Sequence, residues 1–301
     1  MTRSVSVGTR GSALALTQTG LVVSALQALR PGLDFTTHII HTQGDRNQHA
    51  SLQAIGGQGA FVAEIEAALL RGEIDLAVHS LKDLPAAPRP GLALVPALER
   101  GDPRDALVAR DGVPLAGLPP RARVGTGSAR RIAQLRELRP DLDILDIRGN
   151  VDTRLRKLDA GDYDAVVLAA AGLSRLELLD RVTEYFPIED MIPAPGQGIL
   201  AAQTRDDEWL NALLAPLAHG PTQAAARAER AFLARLGAGC QLPVAAHAVV
   251  SEGGVLTLHT LLGGEAGAEA VREVGTTDFE GAAALGEGLA EAALRRLEAA
   301  R

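Results

Sequence analysis

SVSVGTRGSALALTQTGLVVSALQAL, residues 4–29, reads as a short strand, a turn flanked by glycines and an amphipathic helix. The same plan returns at residues 122–138, ARVGTGSARRIAQLREL, where a strand runs through Gly125 and Thr126 into a helix that begins beside Ser128. Around both copies strands and helices alternate. FTTHIIHT (35–42) and the end of GAFVAEIEAALLRGEIDLAVHS (59–80) supply strands to the first. LDILDIRG (142–149) is a strand of the second, NVDTRLRKLDAG (150–161) a helix, and YDAVVLAAAGLSRL (163–176) an apolar strand running into a loop. Such alternation is the signature of a parallel α/β sheet, so the repetition predicts two similar α/β domains.

Further along, Pro and Gly in MIPAPGQGILAAQTR (191–205) mark a crossing segment ahead of a boundary. LAHGPTQAAARAERAFLARL (217–236) is helical, VAAHAVV, VLTLHTLL and AVREVGTT are short strands, and EGAAALGEGLAEAALRRLEAA is a final helix. These make a small C-terminal α+β domain. The expected limits are 1–98 with about 198–216 for the first domain, 99–197 for the second and 217–301 for the third.

The chain has 301 residues, 47% of them hydrophobic and 22% charged, enough for two or three domains with buried cores. Its net charge of -7 argues against a nucleic-acid partner, which normally meets a basic face. No apolar run approaches the ~18 residues of a membrane span, and no basic segment precedes an apolar one at the N-terminus. With one cysteine in addition, a cytoplasmic location is expected.

Two turns place short polar residues at a helix start: Arg10 and Ser12 in GTRGS, and Thr126, Ser128, Arg130 and Arg131 in GTGSARR. Backbone N–H groups and the helix dipole favour an anion there, and guanidiniums add charge-assisted hydrogen bonds. The plainer reading makes Ser12 and Ser128 helix caps. Neither stretch is a P-loop or a complete dinucleotide fingerprint. Arg148 and Arg175 follow strands, and Arg154 lies early in the next helix. Loops beyond the carboxyl ends of strands line the crevice of open α/β sheets. Arg10, Arg130, Arg131, Arg148, Arg154 and Arg175 are therefore expected to converge on a ligand with several carboxylates.

IDLAVHSLKDLPAA (74–87) sends an apolar strand directly into Ser80, Lys82 and Asp83. A carboxylate among cations can stabilise a developing positive charge or shuttle protons. An Asp-Leu-Pro turn explains Asp83 alone, but not why one of the chain's two lysines stands beside it. Histidines 38, 41, 49, 79, 219, 247 and 259 show no zinc-type spacing, so no metal is expected. SLQAIGGQGAF (51–61) reads as a lid loop. Cys240, the single cysteine, cannot close an intramolecular disulfide; it is a buried filler, a passenger, or a nucleophile or attachment point.

In order, GTRGSALALTQT, GGQGAFVAEIEAALL, DLAVHSLKDLP, VGTGSARRIAQL, IRGNVDTRLRKL, AAAGLSRL, PAPGQG and AERAFLARLGAGCQLPV resemble the porphobilinogen deaminase, or hydroxymethylbilane synthase, family along nearly the whole chain. The resemblance implies a transferase of tetrapyrrole and haem biosynthesis that joins four porphobilinogens head to tail and releases ammonia at each addition. It implies two periplasmic-binding-protein-like α/β domains with a cleft between them, plus the small α+β domain, in a monomer. It also implies a dipyrromethane cofactor held by Cys240 through a thioether, and Asp83 as the catalytic residue.

Cofactor and substrate contacts would then be Arg10, Ser12, Ser80, Lys82, Thr126, Ser128, Arg130, Arg131, Arg148, Arg154 and Arg175. Gln18, Phe61 and Gln197 lie inside the matching motifs as lid or packing residues, and PAPGQG would be a hinge. Ala54 and Gln58 stand where the family carries lysines, so cationic contacts from that loop are not expected. Two rival readings share the sequence features: a two-domain carboxylate-binding protein without chemistry, and a nucleotide-dependent enzyme using VGTGSAR.

Overall fold

A computed structural model describes residues 3–42, 62–237, 243–264 and 270–299. The chain divides into two compact units, Met1–Arg100 with Ile199–Gln223, and Gly101–Gly198 with Ala224–Arg301. It begins with β1 (Arg3–Thr9), α1 (Ala13–Leu29), β2 (Leu33–Ile39), α2 (Ala63–Leu70), β3 (Leu76–Ser80) and β4 (Leu92–Ala97). The second unit follows with β5 (Asp105–Ala109), β6 (Arg123–Gly125), α3 (Ala129–Leu138), β7 (Asp143–Leu145), α4 (Val151–Asp159), β8 (Ala165–Ala169), α5 (Ala170–Arg175) and β9 (Glu184–Tyr185). The chain then returns to the first unit as β10 (Leu200–Arg205) and α6 (Glu208–Leu214). α7 (Gly220–Leu236), β11 (Val244–Val250), β12 (Leu256–Leu262), β13 (Val271–Thr277) and α8 (Ala282–Ala299) complete it.

The two five-stranded sheets are built alike, β2-β1-β3-β10-β4 and β7-β6-β8-β5-β9. In each, three parallel strands stand in the order second, first, third, followed by an antiparallel strand and an edge strand antiparallel to that one. The antiparallel members are β10, which arrives from the returning chain, and β5, which the chain forms on leaving the first unit.

Parallel strands are covered on both faces and so are apolar throughout. Leu76 and Val78 of β3 pack with Val5, Val7, Val22 and Leu26, whereas Ala77, on the other face, packs with Ile65 and Leu69 of α2. Burying each such side chain contributes roughly 1.5–3 kcal/mol. The C-terminal sheet, β11-β12-β13, is an antiparallel meander. Ala224, Ala228 and Phe232 of α7 and Ala282 and Ala290 of α8 pack with Ala246, Ala248, Leu256 and Leu258 of its strands. Gly286 permits this: a Cβ there would overlap the Ala228 carbonyl and stand 2.9 Å from the Phe232 nitrogen.

The local readings differ from the structure in three places. AAGLSR (170–175), expected as part of a loop, is the short helix α5, because Ala and Leu favour a helix once the β-branched pair Val166 and Val167 has passed. β7 is confined to three residues. β4 and β5, LALVPA and DALVA, are strands that periodicity alone did not mark, since they owe their place to pairing with β10 and β8. Among the described residues no helix is long and apolar enough to cross a membrane.

Candidate functional site

In the first unit, parallel pairing of Val7 with Leu76 and Gly8 with Ala77 brings the carboxyl ends of β1 and β3 together. Arg10 and Ser12 follow one strand; Ser80 and Asp83 end and follow the other. Ser12 caps α1, its hydroxyl accepting from the Ala15 N–H at 3.3 Å. A single pocket is lined by Arg10, Ser12, Gln18, His79, Ser80 and Asp83, with Leu14, Ala15, Val62 and Val78. Gln18 is buried and its Nε2 donates to Ser80 Oγ at 2.8 Å. Asp83 stands in a single 3-10 turn, Leu81–Asp83, held by buried Leu81, whose N–H donates to the Ile199 carbonyl at 2.9 Å. One partly exposed carboxylate thus faces a donor-lined wall at a helix N-terminus. Lys82 is not among the lining residues.

In the second unit, Ser128 caps α3, and Thr126 Oγ1 accepts from the Ser128 N–H at 3.3 Å. Arg130 and Arg131 turn inward. Arg130 Nη1 donates to Asp105 Oδ2 at 2.6 Å and to the Ile192 carbonyl at 2.9 Å. Arg131 donates to Asp105 Oδ1 through Nε at 3.0 Å and Nη2 at 2.7 Å, and to the Val167 carbonyl at 2.8 Å. Gln197 Nε2 adds a 3.0 Å bond to Asp105 Oδ1. Burial alone would push the Asp105 carboxyl up; the two guanidiniums hold it well below the usual carboxylate range. Two cations share one carboxylate, and Arg130 Nε is buried with no hydrogen-bond partner. The cluster carries an excess positive charge and a spare donor, as an anion site requires.

Arg175 Nη2 donates to the Gly198 carbonyl at 2.7 Å, and burial pushes its pKa down to about 10. Arg148 pairs with Asp146 at 2.9 Å, and Arg154 Nε donates to the Gly149 carbonyl at 2.8 Å. Gly149, at φ 108°, turns the chain between these two arginines. Of the six arginines, Arg10 lines the first unit's pocket, while within the second unit Arg130 and Arg131 grip Asp105, Arg148 pairs with Asp146, and Arg154 and Arg175 donate to backbone carbonyls. Cys240 and Phe61, with Ala54 and Gln58, lie outside the described residues. Among those described, no three His, Cys, Asp or Glu side chains converge as a metal site.

The chain matches two family models. Residues 5–211 match "Porphobilinogen deaminase, dipyromethane cofactor binding domain", and residues 223–295 match "Porphobilinogen deaminase, C-terminal domain". It is 52% identical over 293 residues to the porphobilinogen deaminase of Roseiflexus castenholzii, spanning 97% of this chain and 96% of that protein. The chain belongs to the porphobilinogen deaminase family. The porphobilinogen deaminase of Deinococcus radiodurans is 48% identical over 298 residues, 98% of this chain and 96% of its own.

The cofactor-binding domain of the deaminase family spans both the Asp83 pocket and the Asp105 cluster. A dipyrromethane carries acetate and propionate arms, and the residues present fit it: the spare buried Arg130 Nε and the cation excess around Asp105 call for carboxylates.

Sequence reading missed Asp105, the counter-charge of that cluster, and Glu229. Glu229 is fully buried on α7 and accepts from the Gly196 N–H at 2.6 Å and the Ala248 N–H at 2.7 Å, tying the PAPGQG stretch to β11. A glutamate amid the alanines of α7's packed face was the available signal. Asp105→Asn is expected to cost about 3–5 kcal/mol in chemical denaturation, because it strands two buried guanidiniums. The native carboxyl lies below its ordinary 3.8, so its contribution is fully present above about pH 4 and is lost only as pH falls through the lower native value. The gap between wild type and variant should be flat from about pH 5 to 8 and narrow only in stronger acid. A gap under about 1 kcal/mol at pH 7 would show that the cluster is not stabilising.

Proposed function

We propose that the chain condenses four porphobilinogen molecules head to tail into linear hydroxymethylbilane, releasing one ammonia at each addition. The observation that carries this reading is the first unit's pocket, where a single carboxylate, Asp83, stands among Arg10, Ser12, Gln18 and Ser80. Porphobilinogen offers matching groups: two carboxylates, an aminomethyl ammonium and a pyrrole N–H. Arg10 and the N-terminus of α1 suit the carboxylates. Asp83 accepts from the pyrrole N–H and stabilises the positive charge that spreads over the substrate ring as the C–N bond breaks and ammonia departs. It then takes the proton released when the new carbon–carbon bond rearomatises.

When bound, the dipyrromethane supplies the terminal pyrrole carbon to which the first substrate is joined. Cys240, the only thiol, is its proposed attachment point, since a thiolate is the strongest nucleophile this chain can offer. Thr126, Ser128, Arg130, Arg131, Arg148, Arg154 and Arg175, with Lys82 beside Asp83, are proposed to hold the carboxylates of the growing chain. Gln18 braces Ser80, and Gln197 and Phe61 serve packing or closure. The proposed domain limits remain 1–98 with about 198–216, 99–197 and 217–301, with PAPGQG as a hinge. A cytoplasmic, monomeric transferase without nucleic-acid or membrane partners is favoured by the net charge of -7 and the single thiol.

The protein, purified from cells that make porphobilinogen, should exceed its sequence mass by two linked pyrrole units. Given porphobilinogen, it should release four ammonia molecules per hydroxymethylbilane. A folded protein at bare sequence mass that releases no ammonia would support the carboxylate-binding alternative.

A further inference from the structure

Asp146 lies just beyond β7, between Leu145 and the buried Ile147, in the stretch that carries Arg148. Its backbone is held on both sides: the Leu145 carbonyl accepts from the Thr126 N–H at 2.9 Å, and the Asp146 carbonyl accepts from the Tyr163 hydroxyl at 2.8 Å. From that held position the carboxylate reaches two places at once. Oδ2 accepts from Arg148 Nε at 2.9 Å. Oδ1 stands over Gly127, so close that a Cβ there would lie 2.5 Å from it. Gly127 separates Thr126 from Ser128 in the turn that opens α3. One carboxylate of the protein thus stands against Arg148 and the Thr126–Ser128 turn, the groups proposed above for carboxylates of the ligand.

Burial does not demand an acid here, since the Asp146 side chain is 58% exposed and that of Arg148 28%. An ion pair so open to water contributes little to the fold and can exchange partners. Arg130 and Arg131 differ, because their carboxylate on Asp105 is wholly buried and stays with them. We propose that Asp146 is a specificity-determining residue that competes with the ligand's carboxylates for Arg148, and so limits how tightly the second unit holds the growing chain. The inference rests on the function proposed above and deepens it at that site. A negative charge beside the guanidinium weakens its attraction for a second carboxylate, and an arm arriving at the Thr126–Ser128 turn meets Asp146 Oδ1. A chain that gains carboxylates with every ring has to be held, moved on and released. A displaceable acid keeps that hold from becoming uniformly tight, which would not raise the rate.

The probe is a dipyrromethane that keeps its acetate and propionate arms but has no leaving group, and so cannot react. It is titrated by calorimetry into the full chain made in cells without porphobilinogen, as wild type, Asp146→Asn and Asp143→Asn. Asp143, on β7 and 3.5 Å from Arg121, controls for the loss of one negative charge from the same stretch. Asp146→Asn should lower Kd about three- to tenfold, and Asp143→Asn should leave it within about twofold. Damage to the fold would weaken binding, so a gain separates competition from a structural role. In the wild type the Arg148 15Nε resonance should move when the probe binds, a readout independent of how any variant folds. Unchanged or weaker binding by Asp146→Asn overturns the proposal, as does equal tightening by Asp143→Asn or an Arg148 resonance that stays still at saturation. Any of these alongside turnover of porphobilinogen by the loaded wild type sinks this inference alone; no turnover and no binding of the probe sink the function beneath it.

Discussion

Cys240→Ala is expected to leave the purified protein at its sequence mass and without measurable turnover. An alanine cannot form a thioether, and the chain has no second thiol to take over. Without an attached primer the first substrate electrophile has no pyrrole carbon to join, and the condensation does not start. Stability should fall as well. A bound polycarboxylate stabilises the folded state that binds it, and under the proposed assignment it would offset the excess charge of Arg130 and Arg131 over the single Asp105. Loss of the group should lower Tm by on the order of 5 °C. Intact mass, an ammonia assay and a thermal melt read all three effects. A variant that still carries two pyrrole units would move the attachment away from Cys240.

Asp83→Asn should lower kcat on the order of a thousandfold while leaving KM within a few-fold of wild type. The amide keeps the size and hydrogen-bonding reach of the carboxylate but removes the negative charge, and that charge matters when the substrate ring becomes cationic. Folding should be untouched, since the turn is anchored by buried Leu81 and Leu84 and not by Asp83, which is partly exposed. Single-turnover kinetics on the cofactor-loaded variant isolate the step. A loss smaller than tenfold in kcat would take Asp83 out of the chemistry.

Much of this architecture is legible in the chain because helices, caps and strand periodicity are local. The matching stretches 4–29 and 122–138 do become the equivalent β1-α1 and β6-α3 units of two like sheets. Ser12 and Ser128 do cap their helices, and the cap and the anion-site readings are compatible, since a capped N-terminus still presents other N–H groups. The pocket was partly visible too: Arg10, Ser12, Ser80 and Asp83 were singled out from their places at strand ends. His79 was not, because a histidine in an apolar run looks like core until its place beside the pocket is seen.

The arginines mark where local reading stops. Arg130 and Arg131 could be placed beside Ser128 from sequence, but their carboxylate lies 25 and 26 residues away at Asp105, and Gln197 reaches it from 92. Nothing in the flanking residues announces such partners. Likewise β10 finds its place between β3 and β4 only after the chain has built most of the second unit.

By itself the sequence determined the α/β class, the repeated plan, the helix starts, the acid after β3 and the single thiol, because periodicity and turn chemistry act over a few residues. Only the tertiary structure decided which carboxylate holds Arg130 and Arg131, which strand enters each sheet antiparallel, and that His79 shares a pocket with Asp83. Those outcomes depend on burial and on pairings between distant segments, which exist only once the chain has closed on itself.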